Sequence, residues 1–198
     1  ADDVQLPGML HGRILHCPHA HARIKRINTS KAKALPGVVD VVTVADIPEL
    51  SILVADEVCY QGQKVAMVAA TDPDIAEDAL ELIKVDYQVL PAITDPVVAM
   101  APDAPEVVLG APTENVKNAE GQRFQNVAAH QTMEEGDVEK GFAEADAIVE
   151  REYSTPFWHQ TYMEPNSSTA RVEPNGRITV WTSGQGSFNL RDGIIGAL

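Results

Sequence analysis

Residues 62–91 read GQKVAMVAATDPDIAEDALELIKVDYQVLP, and three periodicities follow one another within them. From Gly62 to Ala70 the apolar side chains Val65, Met67 and Val68 crowd a short run, the pattern of a strand. Asp72-Pro73 then opens a helix, because an aspartate accepts from the first free N–H groups and proline suits the first helical position. Ile75, Ala76, Ala79, Leu80 and Ile83 form one apolar stripe at helical spacing, with Glu77, Asp78 and Glu81 facing out. Val85, Tyr87 and Val89 next alternate with Asp86 and Gln88, a half-buried strand that ends at Leu90-Pro91. Strand, helix and strand in so short a span set the fold class as α+β (mixed α/β).

Upstream, Met9–Leu15 and Ala22–Ile27 read as strands, and Val38–Val44 is β-branched and nearly continuous, as in a buried strand. Between them, Asn28-Thr29-Ser30 offers an N-cap for a short helix over 31–35, stopped by Pro36-Gly37. Downstream the texture changes. Residues 101–127 mix proline, glycine, asparagine and glutamine with little periodicity, which predicts a linker or extended crossing segment and a domain boundary. Beyond it, Asp137 can cap a helix running to Ala145, and Ala147–Thr155 reads as a strand. Ser168–Val172 and Arg177–Thr182 predict a hairpin about Asn175-Gly176. Ser187 can cap a last helix with Leu190, Ile194 and Leu198 on one side. The expected organisation is one domain over 1–100, a linker over 101–127, and the start of a second domain over 128–198. Neither end carries a cap or tail, so the ends read as cut.

The 198 residues hold 29 acidic against 15 basic side chains, a formal net charge of -14. Phosphate binding needs a concentrated basic footprint, so the balance argues against nucleic acid as a partner. The basic cluster Arg23, Lys25, Arg26, Lys31 and Lys33 lacks interleaved aromatics and reads as a solvated face. No apolar run approaches membrane-spanning length, and Ala1-Asp2-Asp3 does not resemble a signal peptide. With two cysteines, Cys17 and Cys59, and no disulfide framework, the expected setting is cytoplasmic, without a membrane partner.

Several groups could carry chemistry. His16, Cys17, His19 and His21 put four ligand-type side chains in six residues, with His11 nearby, and on an extended strand His19 and His21 would share a face. Pro18 interrupts the segment and no second ligand set follows, so imidazoles hydrogen-bonded at a strand start are the expected arrangement and no metal site is assigned. His130 and His159 stand apart, and no G-x-S-x-G elbow exists. Glu134, Glu135 and Asp137 sit before a helix start, where the macrodipole accounts for them. Cys17 and Cys59 have no basic neighbours in sequence and read as inert thiols. Two features stand out. Gln185, between Gly184 and Gly186, lies just after a strand and just before a helix; glycines there let backbone approach a ligand, and an amide can donate to it. Glu164 sits in an apolar and aromatic stretch with Phe157, Trp158 and Tyr162, where a carboxylate needs partners.

The run Leu10-His11-Gly12-Arg13-Ile14-Leu15 into Cys17-Pro18-His19-Ala20-His21-Ala22-Arg23-Ile24 resembles the opening strand pair of the α/β-hammerhead domain in large subunits of the xanthine dehydrogenase/aldehyde oxidase family of molybdenum hydroxylases. Leu35-Pro36-Gly37-Val38, Val58-Cys59-Tyr60-Gln61-Gly62-Gln63-Lys64-Val65-Ala66 and Val85-Asp86-Tyr87-Gln88-Val89-Leu90-Pro91-Ala92 are similar to its later signatures. Gly136-Asp137-Val138-Glu139, Phe142-Ala143-Glu144-Ala145-Asp146, His159, Met163-Glu164-Pro165 and Val180-Trp181-Thr182-Ser183-Gly184-Gln185 resemble the start of the molybdopterin-binding domain. Each piece is weak alone, while their order and spacing are specific.

The resemblance implies an α/β-hammerhead domain followed by the incomplete start of a molybdopterin-binding domain. It implies a parent oxidoreductase that hydroxylates or dehydrogenates aldehydes, purines or aromatic heterocycles, with a subgroup (the 4-hydroxybenzoyl-CoA reductase type) reductively dehydroxylating an aromatic thioester. Molybdenum-molybdopterin is the implied cofactor, with 2Fe-2S and FAD modules on partner subunits or domains, a small-molecule substrate, and a parent complex that is a homo-oligomer. It places Gln185 as the amide donor to an oxo ligand of the metal, Gly184 and Gly186 beside it, and Glu164 as structural support. The family's general-base glutamate and its Phe-Gly-Gly loop lie downstream of anything here, so no catalytic residue is assigned and the piece alone is expected to bind no cofactor and turn over nothing. Between Leu50 and Ser51 the family carries more residues. Two other readings compete: a free-standing, non-catalytic binding or assembly module with the same fold, and a small zinc hydrolase built on His16, His19 and His21.

Overall fold

The structure is a computed structural model that describes residues 3–48, 52–107, 114–163 and 165–197. In chain order its elements are β1 (His11–His16), β2 (Ala22–Asn28), α1 (Ser30–Lys33), β3 (Val38–Thr43), β4 (Glu57–Val58), β5 (Lys64–Ala70), α2 (Pro73–Leu82) and β6 (Lys84–Val89). They continue with α3 (Pro96–Ala99), α4 (Val138–Glu144), β7 (Ser168–Val172), β8 (Ile178–Thr182) and α5 (Ser187–Ala197). The junction near Leu50 and the side chains of Glu164 and Leu198 lie outside the described residues.

The first six strands make two antiparallel three-stranded sheets, in the orders β1-β5-β3 and β4-β2-β6. Strand β5 explains how they coexist. Side chains alternate across a strand, so Ala66, Val68 and Ala70 enter one core with Ala32, Val41, Ala76, Ala79 and Ile83. Val65, on the opposite face, enters a second core with Cys17, Ala22, Val54 and Val58. Helix α2 closes the first core through buried Ala76 and Ala79, and Asp72 caps it by accepting from the N–H groups of Asp74 and Ile75. Gly37, at φ +93°, makes the turn into β3; a Cβ there would lie 2.7 Å from the Ile75 side chain.

Three expectations need correction. Strand β3 is not buried on both faces: it lies at the edge of its sheet, and Val39 is 57% exposed. Residues 147–155 form no strand, because an extended segment needs a hydrogen-bonding neighbour and no described strand lies beside it; every residue from 128 to 163 is exposed. The stretch after residue 100 is not simply extended. Asn126, at φ +53°, donates to the carbonyls of Ala99 and Pro105 at 2.8 and 2.9 Å and accepts from Val107 N–H at 2.9 Å, folding the chain back over α3. A local pairing of Lys117 with Arg123, closed by Asn118 and Gln122, completes the fold-back. Asparagine tolerates this left-handed backbone better than most residues.

Candidate functional site

The histidine-rich segment is dispersed among separate partners. The His16 ring nitrogen Nδ1 lies 2.6 Å from the Gly62 carbonyl oxygen, and the His19 ring meets Tyr87 edge-on at 5.1 Å between centroids. His21 faces Glu57 and the Pro91 carbonyl oxygen, at 2.9 and 2.6 Å. No three His, Cys, Asp or Glu side chains converge in metal-holding geometry among the described residues. Cys17 is buried, and its sulfur accepts from His19 N–H. Burial, then the Glu57 charge, push the Cys59 thiol up, away from the thiolate form in which cysteine reacts. Burial and a hydrogen bond with Cys17 likewise push the Tyr87 phenol up. His130 and His159 lie on the exposed stretch, His159 against Tyr162.

The other sequence-selected position is a loop with defined walls. The β7–β8 hairpin turns at Gly176, whose φ of +82° suits the Asn-Gly turn, and its ladder runs from Val172↔Ile178 to Ser168↔Thr182. Arg171 stacks over the Trp181 ring at 5.9 Å and pairs with Glu173. The chain then leaves β8 through Ser183, Gly184, Gln185 and Gly186 and enters α5. Gly184 lies under Leu190, where an added Cβ would come within 2.8 Å of a side-chain methyl. Gly186 stands at φ +80°, a conformation that resists any side chain. Leu190 N–H donates to the Gly186 carbonyl at 3.2 Å, the first turn of α5. Ser187 is the first residue of α5, one position inside the cap expected for it.

Between those glycines, Gln185 is exposed, and its amide has no hydrogen-bond partner among the described residues. An amide carries two donors, and no described residue accepts from either. A groove of about 580 Å³ opens beside the loop, walled by Ile178, Val180, Leu190, Ile194 and Ile195. The sequence showed the loop through its flanking glycines. It did not show Ser183, whose hydroxyl accepts from Ser167 N–H at 3.0 Å at the base of the hairpin. Glu164, singled out with Gln185, lies outside the described residues.

Comparison with known proteins assigns both halves of the chain. The family described as "Aldehyde oxidase and xanthine dehydrogenase, a/b hammerhead domain" matches residues 1–91, and "Molybdopterin cofactor-binding domain" matches residues 119–198. The chain is 37% identical to the carbon monoxide dehydrogenase large chain of Afipia carboxidovorans over 96% of its own length and 25% of that relative. It is 34% identical to a probable xanthine dehydrogenase subunit of Bacillus subtilis, again over 96% of this chain and 25% of the relative. Among solved structures, the Cu,Mo-CO dehydrogenase superposes with a TM-score of 0.83 at 37% identity, covering 100% of this chain and 27% of that one. Quinoline 2-oxidoreductase from Pseudomonas putida 86 gives 0.82 at 28% identity, covering 99% and 26%. The chain thus spans about a quarter of the length of the curated relatives it matches. With a hammerhead domain and part of a molybdopterin cofactor-binding domain in the family's order, this chain belongs to the xanthine dehydrogenase/aldehyde oxidase family.

Proposed function

We propose that the chain is the N-terminal quarter of a molybdenum-binding subunit and that Gln185 is its contribution to the cofactor site. One observation carries the assignment of the residue: an unpartnered amide held between two glycines at a strand-to-helix turn, within the stretch that matches a molybdopterin-binding domain. The donor set fits the group. An amide presents N–H donors without a charge of its own, and the glycines leave the backbone bare enough for close approach. When bound, the molybdenum-pterin group supplies two-electron redox chemistry with oxygen drawn from water. Gln185 would donate a hydrogen bond to an acceptor on that group and help to fix its orientation, Gly184 and Gly186 shape the loop, and Glu164 serves as structural support. A donor fixed before reaction stabilises developing charge without reorganising.

On this reading the division is 1–100 hammerhead, 101–127 linker and 128–198 the start of the cofactor domain. The hammerhead is scaffold. The parent enzyme is a cytoplasmic oxidoreductase that draws on iron-sulfur and FAD modules, carried on partner subunits or domains, and assembles as a homo-oligomer. Its substrates are aldehydes, purines or aromatic heterocycles, or an aromatic thioester in the reductive direction; the similarity to carbon monoxide dehydrogenase large chains adds carbon monoxide to the assay panel. Gln185→Ala in the full-length subunit tests the assignment. Retained molybdenum with turnover reduced about 100- to 1000-fold is the expectation, the usual effect of removing one such donor. Unchanged turnover would overturn it.

A further inference from the structure

The β7–β8 ladder ends at Ser168↔Thr182, yet the two chains stay joined one position farther, and Ser183 joins them. Its backbone N–H donates to the Ser167 carbonyl at 3.1 Å. Its hydroxyl accepts from Ser167 N–H at 3.0 Å, in the place where a ladder carbonyl would otherwise sit. The hydroxyl proton has two acceptors in reach, the carbonyls of Pro165 at 3.3 Å and Ser167 at 3.4 Å. Thr182 reinforces the corner, with its hydroxyl 2.6 Å from that of Ser168. Ser183 is half-buried, so these bonds are partly shielded from competing water.

Two fixed points therefore bracket Gln185. Behind it is the Ser183 clasp; ahead of it are Gly186, in its left-handed conformation, and the first turn of α5 under Leu190. Gln185 itself makes no bond that would hold its direction among the described residues. Among the described residues, the loop's two ends are what hold the backbone from which that amide projects. Among the described residues, the Ser183 end is the one that reaches across to the preceding segment, bonding the Pro165 carbonyl.

We propose that Ser183 is a positioning residue: its hydroxyl clasp on Ser167 and Pro165 sets the direction in which Gln185 presents its amide to the cofactor. This rests on the assignment of Gln185 proposed above. Misdirection of a donor by even an ångström weakens what it stabilises while leaving substrate binding nearly unchanged. A serine serving only hairpin stability would affect the fold and not the cofactor.

The test compares Ser183→Ala, Ser183→Thr and Gln185→Ala in the full-length, cofactor-loaded subunit. Hydrogen exchange at the backbone amides of Ser167, which donates to the Ser183 hydroxyl, and of Ser183, which donates back to Ser167, should quicken about tenfold in Ser183→Ala, the scale of one lost hydrogen bond. Ser183→Thr, which keeps the hydroxyl, should restore it. The visible spectrum of the molybdenum centre should shift in Ser183→Ala toward that of Gln185→Ala, with kcat lowered and KM nearly unchanged. Wild-type exchange and a wild-type spectrum in Ser183→Ala would overturn the positioning role. If Gln185→Ala alters the spectrum and Ser183→Ala does not, the positioning role alone fails. If Gln185→Ala itself leaves the spectrum unchanged, the assignment of Gln185 fails, and the positioning role toward the cofactor falls with it.

Discussion

His21 has both ring nitrogens aimed at oxygen atoms that can only accept, the Pro91 carbonyl at 2.6 Å and a Glu57 carboxylate oxygen at 2.9 Å. A neutral imidazole has one N–H and would leave a lone pair against the other oxygen; an imidazolium donates to both. The second Glu57 oxygen accepts from Arg23 at 2.8 Å, with Asp56 beside the same guanidinium, so two cations and two anions close the cluster. The His21 and Glu57 side chains are each 17% exposed. The Glu57 hydrogen bond, then that of Pro91, raise His21 above the ordinary 6.5. The His21 and Arg23 hydrogen bonds lower Glu57 below 4.5. The signs follow by linkage. The raised histidine contributes stability fully below about pH 6.5, lost as pH climbs through its folded value. The lowered glutamate contributes above about pH 4.5, lost as pH falls through its folded value. The difference in Tm between wild type and His21→Gln should therefore be widest near pH 5 to 6 and shrink toward pH 8 and pH 3; a difference flat with pH would refute the imidazolium. His21 stands in the sequence within a ligand-like cluster, and Arg23 within a basic run. The partners of His21, at positions 57 and 91, are not legible there, because pairing across that separation leaves no local spacing.

At the scale of elements, what could be read in advance were those whose period and ends agree. Helix α2 has an apolar stripe, a proline at its first position and a capping aspartate, and each appears in the structure. Asp72→Ala removes an acceptor from two N–H groups and should cost about 1 kcal/mol, read by urea denaturation of wild type and variant; no measurable loss would mean that water replaces the cap. Strand β5 and the β7–β8 hairpin were equally plain. The β-branched run of strand β3 says nothing of its neighbours, and only pairing reveals that it lies at an edge. Residues 147–155 carry a strand's composition without a strand's partner, and composition is blind to that difference. The brief α3 and the two-residue β4 are too short to establish a period. The glycine-bracketed loop at Gln185 could be found locally, while Ser183 could not, since its partners lie on the opposite side of the hairpin.

Across the whole molecule, burial is concentrated in the first hundred residues. Both described cores lie there, whereas Phe157 and Met163 are 96% and 98% exposed on a stretch with no element among its described residues between α4 and β7. Exposed backbone outside secondary structure is where proteases cut first. Limited chymotrypsin digestion of the 198-residue chain should cleave within residues 128–163 before any site in the hammerhead, as read by mass spectrometry; early cuts inside residues 10–90 would contradict the placement of the cores. The alternation along β5 has a consequence for descent as well. Because Val65 and Ala66, neighbours on that strand, face different cores, inserting or deleting a residue after them would turn Val68 and Ala70 away from the first core. Substitutions can accumulate there one by one, but length cannot drift, so Lys64–Ala70 acts as a fixed ruler for the lineage. Gains and losses of sequence must fall in the connections, where no side chain has a side to keep.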